Sequence, residues 1–344
     1  MPRFSISSEG VPCMYSAIID GLGLRDWCDA DKKPSLLSLS KLKGEQPEWY
    51  DVKFPSLDNL HDACSKIPQT RDFTAGLEDG FLAVRPALRT VLDPLTQPLS
   101  WLLDSSLYVF TATPWWIFVP IIAFLCFLVS KSLKVGSLVL AVMAFFLFID
   151  HYTFAMQTLA IIFVCTFLCV LLGVPLGILM SKSDRTQRML TPVLDMLQTL
   201  PTFVYLIPLI FLFNITEPKL YGMAIILYAI VPVVRLTNLG IRLVDQSVLE
   251  AADAYGMTDR QKLVSVEIPL ALPNIMAGVN QTIMMALAMV VIASLVSAPG
   301  LGTLVLDGIN NLRLGVGFVA GFAIVLLAIL LDRTSKAALD RINA

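Results

Sequence analysis

Long apolar runs constrain this chain before anything else does. A helix needs about 20 apolar residues to cross a hydrocarbon core of about 30 Å. Candidate runs lie at roughly 113–130, 135–150, 155–180, 193–213, 220–241, 271–297 and 315–331, seven in all. In lipid the backbone polar groups must be satisfied within the segment, so such runs specify helices. The 344 residues are 56% hydrophobic and 15% charged, against about 25% charged in ordinary soluble domains. The expected fold class is an all-α polytopic membrane protein. The second run is short, and only Lys131 to Lys134 separate it from the first. That predicts a tight hairpin with both lysines at one surface.

Residues 1–80 are of different material, with charges, prolines and short apolar patches. They read as a polar N-terminal extension, and residues 1–20 lack the charged start and apolar core of a signal peptide. Residues 81–112 mix apolar positions with Arg85, Arg89, Asp93 and Asp104, interrupted by three prolines. They read as short amphipathic segments in the membrane interface. Residues 113–344 form the transmembrane domain. The six cysteines are scattered with no CxxC, and His61 and His151 stand far apart, so no metal site is expected.

The longest polar island in the apolar half is the loop at 245–269, and above all Glu250–Pro269, EAADAYGMTDRQKLVSVEIP. Val248–Tyr255 reads as a helix stopped by Gly256, since glycine enters the left-handed conformation without a Cβ penalty. Thr258 and Gln261 have capping-box spacing for a second helix, expected to end before Pro269. With this loop in the cytoplasm and the spans alternating, the inner side receives Lys131, Lys134, Lys182, Arg185, Arg188, Arg235, Arg242, Arg260, Lys262, Arg333, Lys336 and Arg341. The outer side receives only Lys219 and Arg313. This bias satisfies the positive-inside rule, and seven spans then place the amino terminus outside.

Polar residues inside the spans are the candidates for work. Asp195 and Gln198 are three apart and share a helix face. Pro201 and Pro208 predict a bent or broken fourth span, with Phe203 and Tyr205 on it. Asn280, Gln281 and Thr282 sit well inside the sixth run, where lipid cannot satisfy them, followed by Met284, Met285 and Met289. They either hydrogen-bond between helices or line a path. In the third run Gly173 and Gly177 form a GxxxG suited to close helix packing. No span carries a His/Asp/Glu cluster, which leaves little support for a membrane enzyme.

The island resembles the cytoplasmic "EAA" loop of ABC importer permeases. Glu250, Ala251, Ala252 and Gly256 match that pattern, Val266 stands for its Ile, and Ile268-Pro269 for its Leu-Pro. VYLIPLIFLF, IMAGVNQT, PGLGTLVLDGI and ILLDR, from about Gly80 onward, look like the permease subunit of the ProU-type glycine betaine/proline betaine importers. The resemblance implies a type I ABC importer permease fold in a bacterial inner membrane. It also implies that the loop is a coupling helix seated on an ATP-binding subunit, with an external substrate-binding protein. Where that family suggests an acidic residue after the PGLG loop this chain has Arg313, so a partner touching that segment should differ in charge. The chain has no GxxxxGK[ST] motif. ATP and Mg are therefore expected on two copies of a separate ATP-binding subunit, and no cofactor on this chain. Two-fold completion by a second permease copy is the economical assembly. No nucleic acid is expected. Choline, dimethylsulfoniopropionate or an amino acid are alternative cargoes. A stand-alone channel or secondary transporter is the alternative class, against which stands the lack of a visible repeat or paired intramembrane charges.

Overall fold

The computed structural model describes residues 56–64 and 67–343, and every regular element among them is helical. Most of the expected 1–80 extension thus lies outside the described residues. The described residues form two units, one up to Pro86 and one from Ala87 onward. In the first unit a short helix α1 (Leu57–Ala63) precedes the start of α2 (Thr70–Ala112). The Asp58 carboxylate accepts from the Thr70 N–H at 2.8 Å, and Asp72 accepts from Gln69 N–H at 3.1 Å. These bonds satisfy donors that a helix N-terminus leaves open.

Helix α2 corrects one expectation. Residues 81–112 are not a series of short segments but part of a single 43-residue helix. A proline removes one donor and leaves the flanking turns bonded. Pro94 and Pro98 are four apart, so their missing bonds fall on one face. Arg89 pairs with Asp93 one turn on at 2.9 Å, and Thr96 donates to the Leu92 carbonyl at 2.7 Å, which ties the interrupted stretch together. The chain turns instead at Thr113-Pro114, bending by 110° into α3 (Trp115–Ser130).

The expected hairpin follows: α3 ends on Lys131 in the left-handed conformation (φ 48°), and α4 (Leu133–Phe148) returns. At 16 residues α4 spans about 24 Å, short of the bilayer core. Four stretches among the described residues are long and apolar enough to cross singly: α5 (Tyr152–Lys182), α8 (Pro218–Arg242), Asp259–Val296 and Leu314–Ala338. The count rises to six if each of two bent pairs is one span. The seventh expected span is therefore α4, the shorter apolar helix.

The second bent pair is α6 (Asp184–Thr199) and α7 (Thr202–Leu212), which meet at 98°. Pro201 forces Leu200 into extended backbone (φ −64°, ψ 133°), and α6 stops there. Pro208 lies within α7 without breaking it.

Helix α8 is the axis of the bundle, buried along much of its length between α5 and α11 (Ile268–Ala293). Glycines let these backbones close. A Cβ on Gly177 of α5 would lie 2.6 Å from Thr237 Cβ and 2.7 Å from the Val234 carbonyl. On the other side a Cβ on Gly278 would lie 3.0 Å from Val233 Cα. The GxxxG thus serves packing. After α11 come α12 (Leu301–Asn310) and α13 (Leu314–Asn343), which form a second hairpin. Leu103, Phe146, Met156, Ile161 and Met289 are among the fully buried side chains of the main core.

Candidate functional site

The polar island folds into a compact helical hairpin. Helix α9 (Gln246–Ala254) is capped by Asp245, whose carboxylate accepts from Ser247 N–H at 2.9 Å. That bond holds the Asp245 carboxyl below the usual carboxylate range. The helix ends at Gly256, whose φ of +75° is the left-handed stop read from the sequence. Gly256 N–H donates to Asp253 O at 2.9 Å and Met257 N–H to Ala252 O at 3.2 Å, the paired bonds of a Schellman motif. Thr258 then caps α10 (Asp259–Lys262): Gln261 N–H donates to Thr258 Oγ1, and Thr258 N–H to Gln261 Oε1. Lys262 bridges the two short helices, 2.7 Å from Asp253.

Within the hairpin Ala252 is buried, while Glu250, Ala251 and Gly256 are exposed. Tyr255 projects from the turn with 87% of its surface free, beside Met257.

The second helix does not end before Pro269. A π-turn, Leu263–Glu267, carries α10 directly into α11, and Ile268 N–H donates back to the Leu263 carbonyl. The wider turn removes the conflict between the ring of Pro269 and the preceding backbone, so the helix passes the proline unbroken. Ile268 is half-buried and Pro269 exposed.

Two ion pairs fasten the hairpin end of the bundle. Glu267, in the π-turn, is only 3% exposed, and Lys182 at the end of α5 lies 2.6 Å from its carboxylate. Arg242, the last residue of α8, donates to Asp184 at 2.7 Å, to the Met180 carbonyl at 3.0 Å and to Asn238 at 3.1 Å. Sequence reasoning missed Glu267. Its signal was a lone carboxylate in an otherwise apolar flank, LVSVEIPLAL, which demands a partner.

The opposite end of α8 carries a second charged cluster. Lys219, with a side chain 5% exposed, lies 2.7 Å from Asp93 and 2.9 Å from Glu217, and over the Phe213 ring at 5.2 Å. Arg89 meets the same carboxylates at 2.9 and 3.5 Å. At this end too stands the α12–α13 turn, with Leu312 91% exposed.

The candidate path residues do not form one lining. Asp195 is exposed and ion-paired with Arg235 of α8. Gln198 follows one turn later, half-buried. Phe203 is exposed, but Tyr205 is 6% exposed, its hydroxyl buried without a hydrogen-bond partner. Two residues apart on a helix lie on nearly opposite faces, so these rings leave α7 on different sides. Asn280, Gln281 and Thr282 diverge for the same reason. Asn280 donates to Asp332 of α13 at 3.2 Å and accepts from Ser335 at 2.5 Å, a bond between helices. Thr282 is fully buried. On this helix Gln281 and Met284 are exposed, on a stripe continued by Ala277 and Ala288.

Comparison with known proteins agrees with this architecture. The family described as "Binding-protein-dependent transport system inner membrane component" matches residues 170–343, from within α5 to the end of α13. The glycine betaine/carnitine transport permease protein GbuB of Listeria monocytogenes is 42% identical over 71% of this chain and 87% of its own length. The glycine betaine transport system permease protein OpuAB of Bacillus subtilis is 41% identical over 66% and 76%. The glycine betaine/proline betaine permease protein ProW of Escherichia coli is 46% identical over 55% of this chain and 53% of ProW. With its hairpin, its apolar bundle and these relatives, the chain belongs to the family of binding-protein-dependent transport system inner membrane components.

Proposed function

We propose that the chain is the transmembrane subunit of an ATP-driven importer for glycine betaine and proline betaine-type osmolytes. Two copies pair across a two-fold axis, each seating its hairpin on one of two ATP-binding subunits, and an external binding protein delivers the cargo. ATP and magnesium are bound by the partner subunits. The observation that carries this reading is the hairpin itself: an internally braced, exposed projection at the lysine- and arginine-rich end of the bundle. Three relatives whose names all contain glycine betaine support the cargo.

The exposed stripe supports the pairing. Gln281 is a polar side chain deep in an apolar helix, and lipid cannot satisfy it. A second copy or a watery lumen covers it in the assembly. A betaine is a zwitterion whose ammonium never loses its charge. A passage lined by neutral Gln281 and soft Met284 binds neither end tightly, and conduction needs weak binding. Selectivity then lies mainly with the binding protein.

Proteoliposomes containing this chain, its ATP-binding subunit and its binding protein test the reading. They should take up radiolabelled glycine betaine only with ATP inside and binding protein outside. Uptake without either component contradicts it.

A further inference from the structure

We propose that the Glu267–Lys182 pair, set in the π-turn at the foot of the hairpin, is the joint that transmits hairpin movement to the bundle. The inference rests on the reading of the hairpin as the seat of an ATP-binding subunit. It goes beyond that reading by naming how the movement leaves the hairpin.

The hairpin is built to move as one piece. The Schellman bonds at Gly256, the capping box at Thr258 and the Lys262–Asp253 bridge each tie α9 to its turn or to α10. A push on Tyr255 is therefore passed on rather than absorbed. The chain leaves the hairpin at two places. One is the end of α8, where Arg242 is held by Asp184 and the Met180 carbonyl. The other is Leu263–Glu267, where wider i→i−5 bonding replaces the regular ladder. A π-turn interrupts the i→i−4 ladder, and helices kink preferentially at such interruptions, so compliance is expected there.

Glu267 sits inside that turn. Its carboxylate is out of water, with Lys182 Nζ at 2.7 and 2.6 Å from its two oxygens. A buried carboxylate is unfavourable unless its partner stays with it. Rotation of the π-turn therefore carries the end of α5 along or strands a charge. Helix α5 cannot yield on its own, because Gly177, five residues before Lys182, already brings it against the α8 backbone. The pair thus links the compliant turn to a stiff two-helix unit. Glu267 and Lys182 are positioning residues, since neither reaches cargo or nucleotide.

The test uses the complete complex in proteoliposomes, reading ATP hydrolysed per glycine betaine imported. Glu267→Gln keeps the shape of the side chain and removes its charge, and Lys182→Met removes the partner. Both should keep binding-protein-independent ATPase activity while the ATP-to-cargo ratio rises about tenfold or more. Exchanging the charges, Lys182→Glu with Glu267→Lys, should bring the ratio back to within about threefold of wild type. A wild-type complex that imports nothing overturns the importer reading itself. A coupled wild type with an unchanged ratio in Glu267→Gln overturns the joint alone. If a single variant fails to assemble, the exchanged pair decides: restored assembly and ratio support the joint, while restored assembly with a raised ratio overturns it, as does failure to assemble.

Discussion

The two ends of α8, about 37 Å apart, are both charged and are wired differently. At the Pro218 end Arg89, Asp93, Glu217 and Lys219 close a ring in which each group meets two of opposite sign. At the Arg242 end the charges stand in separate pairs, Lys182 with Glu267 and Arg242 with Asp184. A ring has no single bond whose loss frees a helix, and it can hold Lys219 away from water because two carboxylates surround it. A lone pair holds two elements at one point and lets them pivot there. The first arrangement is a clamp between α2 and α8. The second suits an end proposed to move.

The largest stability effect should come from breaking the clamp. Lys219→Met leaves Asp93 and Glu217 facing each other with only half-buried Arg89 between them. Because both carboxylates are partly exposed and still meet Arg89, the loss should be about 1–3 kcal/mol. Thermal unfolding of the detergent-purified complex should shift down clearly, while the surviving complex keeps its ATP-to-cargo ratio. A raised ratio would erase the distinction between the two ends.

Next is the hairpin turn. Gly256→Val places a β-branched residue at φ +75°, at a local cost of about 1–2 kcal/mol. Membrane insertion should be normal and uptake should fall about tenfold or more as the docking surface is misshapen. Adding Glu250→Lys should complete the loss, and full uptake by the double variant would remove the hairpin from the mechanism.

Along the stripe, Gln281→Leu should lower the maximal uptake rate several-fold without changing cargo affinity at the binding protein. Asn280→Leu acts differently, because it deletes the bonds to Asp332 and Ser335. Its main effect should be about 1–2 kcal/mol of stability. Equal rate losses with unchanged stability in both variants would return Asn280 to the path. The smallest effect is at the outer rim of the clamp. Arg89→Gln should cost about 1 kcal/mol or less, since Lys219 still bridges both carboxylates.

How much of this was legible follows from what is local. Apolar runs, the stop at Gly256, the Thr258–Gln261 box and the break at Pro201 each depend on neighbours within a turn. Residue type and spacing therefore sufficed. The charged ring and the Glu267–Lys182 pair join residues 126 and 85 positions apart, which no spacing rule announces. Asn280, Gln281 and Thr282 were open between a bond joining helices and a path; Asn280 makes the bond, and geometry parts it from its neighbours. Read as one polar group, they are turned about 100° from each other by the helix and meet α13, an open face and the core in succession. The prolines of α2 and Pro269 misled because each was weighed alone. Pro269 is accommodated by a π-turn, and those of α2 by a helix long enough to lose single bonds.

The most direct test places a photo-crosslinking residue at either end of the molecule. Tyr255 at the hairpin tip and Leu312 in the α12–α13 turn are each almost wholly exposed. In the assembled complex in native membranes, the probe at Tyr255 should capture the ATP-binding subunit and the probe at Leu312 should not. An ATP-binding subunit captured at Leu312, or none captured at Tyr255, would contradict the account.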